Sequence, residues 1–173
     1  MTTANIGWTL PGIWCVPGRP RNRKTHVEDK MILLTRAVVQ PWNCDMMGHM
    51  TTRFYVGFFD DAINILLSRA TGWAPTTPEW ADRGWADIRH EIDYVGEVAS
   101  GVIVDIYGAV RHVGRSSVQS DYEMRRLHGG QVAARLTAKT VFFDLAARKS
   151  TPLTEAMIQG LNSMTEAAPD NPA

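Results

Sequence analysis

The strongest apolar pattern in the chain is helical and covers residues 52–70. Nine apolar side chains cover most of the helix surface: Phe54, Tyr55, Val56, Phe58, Phe59, Ile63, Ile65, Leu66 and Leu67. The polar or small positions form one narrow stripe: Gly57, Asp60, Asp61, Asn64 and Ser68. A helix that is apolar over most of its circumference is buried on most sides. At about 1.5 Å per residue it is roughly 28 Å long. We therefore predict a long buried helix that ends at Gly72.

Strand patterns flank this helix. Residues 31–40 are rich in aliphatic and β-branched side chains, and residues 87–94 alternate so that Ile88 and His90 share one face. Three further strands are predicted at residues 101–113, 115–127 and 131–145. The breaks between them are short, which favours antiparallel hairpins. The pattern predicts an α+β fold in which an antiparallel β-sheet wraps around one long central helix. The open edge of such a sheet favours at least a dimer.

The two ends of the chain differ from its centre. Residues 1–30 show little periodicity and much Pro, Gly and Arg, which indicates an irregular N-terminal arm, although its basic residues are an alternative contact for a phosphate or a partner subunit. Residues 31–150 form the predicted folded domain. Residues 151–173 are predicted to be a short helix and a tail, with Thr151 as N-cap and Pro152 at the first helical position.

Composition and charge exclude several classes of function. Acidic and basic residues balance at 18 each, and the formal net charge is +0, which argues against a nucleic-acid partner. No apolar run approaches the ~20 residues that span a bilayer, so we expect no membrane partner. The chain of 173 residues has two cysteines, which is typical of a reduced, cytoplasmic protein.

The candidate chemistry lies in the loop that leads into the long helix, residues 42–51. Asp45 is followed by Gly48, His49 and the predicted helix start at Thr52. This order places a base, a turn and the free N–H groups of a helix N-terminus close together. We predict a reaction centre here. The alternatives are that Asp45 only caps the turn and that His49 only bonds to backbone.

These residues resemble the HotDog fold, and in particular acyl-CoA thioesterases of the 4-hydroxybenzoyl-CoA thioesterase type. The family motif is an Asp, a Gly three residues on, a Tyr ten on and an acidic residue fifteen on. Here these are Asp45, Gly48, Tyr55 and Asp60. Residues 113–118 are a second matching stretch. The resemblance covers about residues 31–150.

The resemblance implies a specific activity and site. Asp45 would act as general base on water or as nucleophile toward the thioester carbonyl. The backbone N–H of Thr52 or a neighbour would hold the oxyanion, and His49 is a candidate helper that orients Asp45, binds water or protonates the leaving thiolate. Arg115 and Ser116 would be among the contacts to coenzyme A along a subunit interface. The partner is then an acyl-CoA substrate, with no separate cofactor, and the assembly a homodimer or homotetramer.

Other residues have more than one interpretation. Asp60 and Asp61 are predicted to have a structural or interface role, such as pairing with an Arg, although some branches of the family use an acidic residue on this helix in catalysis. His90 is predicted to be a satisfied core histidine. The five histidines show no ligand spacing, so no metal site is predicted.

The acyl group and the reaction itself also have alternatives. Trp73, Trp80 and Trp85 are expected to pack on the core or a partner subunit, or else to line a substrate pocket. Three tryptophans could also cage a quaternary ammonium group, as in betainyl-CoA. A non-catalytic HotDog module that binds acyl-CoA is the alternative to a thioesterase.

Overall fold

A computed structural model of the chain describes residues 31–165. The predicted N-terminal arm, residues 1–30, and the end of the predicted tail lie outside the described residues. Within them, the main elements follow in this order: β1 Ile32–Val38, α1 Thr52–Thr71, β2 Arg83–Tyr94, β3 Ile103–Val113, β4 Ser117–Arg126, β5 Val132–Asp144, β6 Lys149–Ser150 and α2 Glu155–Ser163. Short 3-10 helices cover Pro41–Asn43 and Pro78–Trp80.

The strands of the described region form one antiparallel sheet in the order β1-β3-β4-β5-β2, and β6 pairs with the end of β5. The predicted α+β arrangement of one helix and an antiparallel sheet is confirmed. The two-residue strand β6 was not predicted, because a pair such as Lys149 and Ser150 has no periodicity to detect. β1 and β2 are the two edge strands of the sheet.

The helix α1 has the predicted bounds. It begins at Thr52 and ends at Thr71, where Gly72 takes the left-handed conformation with φ 71° and donates its N–H to the Ser68 carbonyl at 2.9 Å. Its buried face consists of Tyr55, Phe59, Ala62, Ile63, Leu66, Leu67 and Ala70. The predicted polar stripe is exposed, but Val56 beside it is also exposed. In the single chain, α1 is therefore buried on one face, since the sheet and α2 cover one side.

The C-terminal helix α2 packs on α1 and adds Met157 and Leu161 to the same core. Its N-cap is Thr154, whose side chain accepts a hydrogen bond from the Met157 N–H at 3.3 Å. The prediction of Thr151 as N-cap was wrong. The Thr151 N–H donates to the Phe142 carbonyl at 2.9 Å, so the chain stays against the sheet for three more residues before it turns into the helix.

The strand β2 differs from its prediction in a way that bears on function. It begins at Arg83 rather than residue 87, and a β-bulge shifts its register against β5 between Asp87 and Arg89. Ile88 is the extra residue and is 58% exposed. The prediction that Ile88 shares a face with His90 was therefore wrong, because the bulge turns Asp87 to the side of His90.

Candidate active site at the start of α1

The loop before α1 is a closed turn. The Asp45 N–H donates to the His49 carbonyl at 2.9 Å, and the Gly48 N–H donates to the Asp45 carbonyl at 3.0 Å. Gly48 has φ 81°, a conformation that glycine adopts without strain. The Thr51 N–H donates to the Asn43 carbonyl at 2.9 Å, which fixes the end of the loop to its beginning. The loop thus leads directly into the first turn of α1.

The Asp45 carboxylate lies inside this turn. Its Oδ1 accepts hydrogen bonds from the N–H groups of Met47 at 2.8 Å and His49 at 3.3 Å. These bonds make the capping contact that the sequence offered as an alternative. Among residues 31–165, no donor contacts Oδ2. One oxygen therefore holds the loop, and the other makes no hydrogen bond to the described residues.

The N-terminus of α1 begins beside Asp45 without a side-chain cap. Thr51 is the N-cap residue, yet its side chain makes no capping bond, and its buried Oγ1 finds no partner in the described part of the chain. The N–H groups of Thr52 and Arg53 likewise make no hydrogen bond to any described residue. Uncapped helix N–H groups carry partial positive charge and bind anions. This end of α1 is suited to hold a developing oxyanion.

A segment between β2 and β3, residues 95–99, forms the neighbouring wall. The Met50 N–H donates to the Val98 carbonyl at 2.7 Å, and the Tyr55 hydroxyl donates to the Gly96 carbonyl at 3.3 Å. The imidazole Nε2 of His49 lies 3.3 Å from the Glu97 carboxylate. His49 therefore faces Glu97. No sequence signal pointed to Glu97, because it lies 48 positions after His49 and no motif connects the two.

Burial raises the pKa of Tyr55 above its ordinary value, and the Glu97 carboxylate acts in the same direction, while a backbone hydrogen bond with Val98 and the charge of Arg126 oppose the shift. Arg126 also donates to the Glu97 carbonyl. Residues 95–99 are thus held from both sides, which keeps Glu97 beside His49.

The structure places Asp45 in contact with His49, and Thr52 begins α1 three residues later, but the predicted coenzyme A contacts lie elsewhere. Arg115 and Ser116 lie in the β3–β4 hairpin, where their carbonyls accept from Leu153 and Phe142 at 2.9 Å. The loop of Asp45 lies beside the start of β3, and the hairpin follows its end. The ten residue steps of β3 span roughly 33 Å. Within one chain, Arg115 and Ser116 are therefore far from Asp45.

The tryptophans do not converge on one point. Trp80 and Trp85 both pack on Phe142, with ring centroids 6.2 and 5.0 Å away. Trp73 instead lines an open groove of about 520 Å³ with Ser68 and Arg69 of α1. The expected packing on the core is therefore found for Trp80 and Trp85 but not for Trp73. Within one chain, these three tryptophans do not form a cage.

Two general properties complete the description of residues 31–165. No helix there combines the length and the apolar character that a bilayer crossing needs. No three His, Cys, Asp or Glu side chains in that range converge closely enough to hold a metal ion.

Solved structures that resemble the chain share its fold. A coenzyme A complex of a Staphylococcus aureus protein has a TM-score of 0.71 at 14% identity and covers 78% of this chain and 85% of its own. A 1,4-dihydroxy-2-naphthoyl-CoA thioesterase from Synechocystis has a TM-score of 0.66 at 17% identity, and the match covers 76% of this chain and 96% of the thioesterase. A thioesterase from Thermus thermophilus, complexed with coenzyme A and Zn, has a TM-score of 0.67 at 20% identity, covering 79% and 96%. A comparison with curated proteins found no match.

The family is shown by a match between this sequence and a family model. Residues 39–161 match the family model described as the thioesterase-like superfamily, which is more than half of the chain. The matched range includes the Asp45 loop, α1 and all strands from β2 to β6. The fold predicted from the resemblance, an antiparallel sheet on one long helix of the HotDog type, is confirmed by this match and by the solved structures. The chain belongs to the thioesterase-like superfamily.

Proposed function

We propose that this protein is an acyl-CoA thioesterase that hydrolyses a thioester to a free acid and coenzyme A. The observation that carries the proposal is the pairing of Asp45, one oxygen of which is uncommitted, with the uncapped N-terminus of α1. Thioester hydrolysis needs an activated oxygen nucleophile and a group that stabilises the oxyanion. Both lie at this end of α1.

Asp45 supplies the nucleophile by one of two routes. As a general base it takes a proton from water, and the hydroxide adds to the thioester carbonyl. As a nucleophile it adds to the carbonyl itself, and water then cleaves the resulting anhydride. In either route the oxyanion lies against the N–H of Thr52 or Arg53, and the C–S bond breaks when the carbonyl re-forms.

His49 is the candidate donor to the departing thiolate. Its Nε2 faces Glu97 at 3.3 Å, which leaves Nδ1 for another partner. A carboxylate that accepts from one ring nitrogen fixes the orientation of an imidazole. Glu97 is therefore proposed as the residue that positions His49.

The proposed site for coenzyme A requires a second copy of the chain. Arg115 and Ser116 are far from Asp45 in their own chain, so they can contact the substrate only from a partner subunit. β2 is an edge strand that pairs with β5 on one side and has a free side within the described sheet. We propose a homodimer or homotetramer in which the hairpin of one copy approaches the loop of another. The coenzyme A in the S. aureus and T. thermophilus structures supports a ligand that contains coenzyme A.

The alternative is a module that binds acyl-CoA without hydrolysis. A panel of acyl-CoAs in a thiol-release assay distinguishes the two, with binding of each ester measured in parallel by calorimetry. The thioesterase predicts thiol release from at least one ester. Tight binding of esters without any thiol release would establish the binding module instead. Arg115→Ala should weaken the binding of these esters. Arg111→Ala is its matched control and should not, because Arg111 of β3 pairs with Asp121 of β4 at 2.6 Å and lies outside the hairpin turn.

A further inference from the structure

A second polar cluster lies on the inner face of the sheet, beside α1, and the proposed reaction does not use it. Asp87 of β2 accepts a hydrogen bond from the Thr140 hydroxyl at 2.5 Å, and its other oxygen lies 3.5 Å from the Nε2 of His90. The bulge at Ile88 brings Asp87 and His90 to the same face. Bulges are over-represented beside functional sites, where they redirect a side chain. We call Asp60, Asp87, His90 and Tyr122 the β2 cluster.

Two buried polar atoms in the β2 cluster lack a hydrogen bond. Neither the Nε2 of His90 nor the hydroxyl of Tyr122 makes a hydrogen bond to any residue between 31 and 165. Tyr122 is 1% exposed. Buried polar groups nearly always find a partner, so each exception needs a reason. His90 differs from the predicted satisfied core histidine, because its side chain is 22% exposed and its Nε2 has an ionic contact with Asp87 at 3.5 Å but no hydrogen bond.

Tyr122 lies on the same face of the sheet as Asp87, because Val118, four residues before Tyr122 on β4, is opposite Thr140, and Thr140 is also opposite Asp87. Burial raises the pKa of Tyr122 far above its ordinary value, and the charge of Asp87 acts in the same direction. Ser120 acts in the opposite direction, although no hydrogen bond of ordinary length and angle joins it to the hydroxyl. A buried, unpartnered hydroxyl on the same sheet face as a carboxylate is the kind of polar group that a ligand satisfies.

Asp60 of α1 faces the same cluster from the helix side. Burial raises the pKa of Asp60, the carboxylates of Asp87 and Asp61 raise it further, and His90 opposes them. The predicted pairing with an Arg is not found, since no ion pair of the described chain includes Asp60. Three carboxylates thus share this surface, and His90 is the one basic group of the described residues that acts on Asp60.

An aromatic side chain borders these carboxylates. Trp85 precedes Asp87 by two residues, on the same strand face, because their partners on β5 are Phe142 and Thr140, both buried. The side chains of Asp87 and His90 retain 27% and 22% exposure, so a ligand can reach them. Carboxylates beside an indole ring match the chemistry of an organic ammonium ion, which gains from both ionic and cation–π attraction.

We propose that the β2 cluster binds the ammonium group of a positively charged acyl chain, and so selects the substrate hydrolysed at Asp45. This inference rests on the proposed thioesterase activity. Asp60 follows Thr52 by eight residues, which places the cluster about 12 Å along the helix axis from the oxyanion site of the same chain. Val56 and Gly57 lie between them on the exposed face of α1, and a Cβ added at Gly57 would meet no other atom within 4 Å. Within one chain, the path along this face is therefore open to an acyl chain.

The test uses non-hydrolysable thioether analogues of acyl-CoA in matched pairs. Each pair has one form that ends in a primary ammonium group, whose N–H groups can donate to the Tyr122 hydroxyl, and one that ends in a neutral methyl group of similar size, with an acetyl-length and an octanoyl-length spacer. Calorimetry gives the dissociation constants. The ammonium form should bind about tenfold more tightly at one of the two lengths. In the Asp87→Asn and Asp60→Asn variants, the ratio of the two dissociation constants should fall toward one.

Asp93→Asn is the control, because Asp93 lies exposed on the same strand outside the cluster, and it should keep the wild-type preference. The amide of Asp87→Asn can still accept from Thr140, and Asp60→Asn provides a second variant if the first fails to fold. Equal binding of both forms at both lengths, or an unchanged preference in both cluster variants, overturns the proposal. Hydrolysis assays with the corresponding thioesters test the ammonium subsite and the thioesterase activity separately. Preferred binding of the ammonium form without any hydrolysis would support the subsite and contradict the thioesterase activity. Hydrolysis without a preference for the ammonium form would support the thioesterase activity and contradict the subsite.

Discussion

The contact between the two helices leaves no room for a side chain at Gly160, which yields a prediction about stability. A Cβ at this position would overlap the carbonyl oxygen of Ala70 and lie 3.0 Å from its carbonyl carbon. Both obstacles are backbone atoms of α1, so no rotamer change can relieve them. Gly160→Ala must push α2 away from α1 and loosen the packing of Met157 and Leu161, both of which are buried.

The size of the effect follows from two opposing terms. Inserting a methyl group into a packed interface costs about 1–3 kcal/mol, with backbone contacts at the upper end. Alanine recovers up to about 1 kcal/mol of helix propensity over glycine. The net loss for Gly160→Ala should be about 2 kcal/mol. At roughly 4 °C per kcal/mol for a domain of this size, Tm should fall by about 8 °C.

Gly57→Ala is the matched control in the other helix. An added Cβ there meets nothing within 4 Å, so the propensity gain is unopposed. The free energy of unfolding should rise by about 0.5–1 kcal/mol. Differential scanning calorimetry and urea unfolding measure both variants. If Gly160→Ala were as stable as wild type, the close approach of α2 to α1 would be refuted.

Two further substitutions test local features. Asp60→Asn should raise Tm at pH 7. The pKa of the Asp60 carboxyl is raised in the folded state, so the group stabilises the fold below its unfolded pKa of 3.8, and this stabilisation is lost as the pH rises through the folded-state pKa. The gain should shrink on acidification, and a gain that is independent of pH would contradict the assignment. Thr154→Ala should cost about 1 kcal/mol through loss of the cap on Met157, whereas Thr151→Ala removes no contact that caps α2 and should cost less. Urea unfolding compares the pair, and a larger loss for Thr151→Ala would reject Thr154 as the N-cap.

The elements that the sequence predicted well are those with long, regular patterns. The bounds of α1 follow from its apolar face and from Gly72, and the hairpins follow from the short breaks at Gly114 and at residues 128–130. The bulge at Ile88 has no such signal, because it depends on how β2 pairs with β5. The N-cap of α2 was misplaced for a similar reason, since tertiary hydrogen bonds hold Thr151 against the sheet.

The same distinction between local patterns and tertiary contacts applies to the candidate site. Asp45, His49 and Thr52 are close in sequence, so a local motif could bring them together. Glu97 could not be found from sequence, because its contact with His49 depends on the course of residues 95–99. The β2 cluster joins side chains from α1, β2 and β4, and an alternating pattern read without the bulge places Asp87 on the wrong face.

The role of Asp45 is the central claim, and Asp45→Asn tests it most directly. The amide oxygen can still accept from Met47 and His49, so the loop and Tm should be unchanged, while the general base or nucleophile is lost. With an acyl-CoA that the wild type hydrolyses, kcat/KM should fall by about 10² to 10⁴. Turnover close to wild type in a folded Asp45→Asn protein would contradict the account and remove Asp45 from the mechanism.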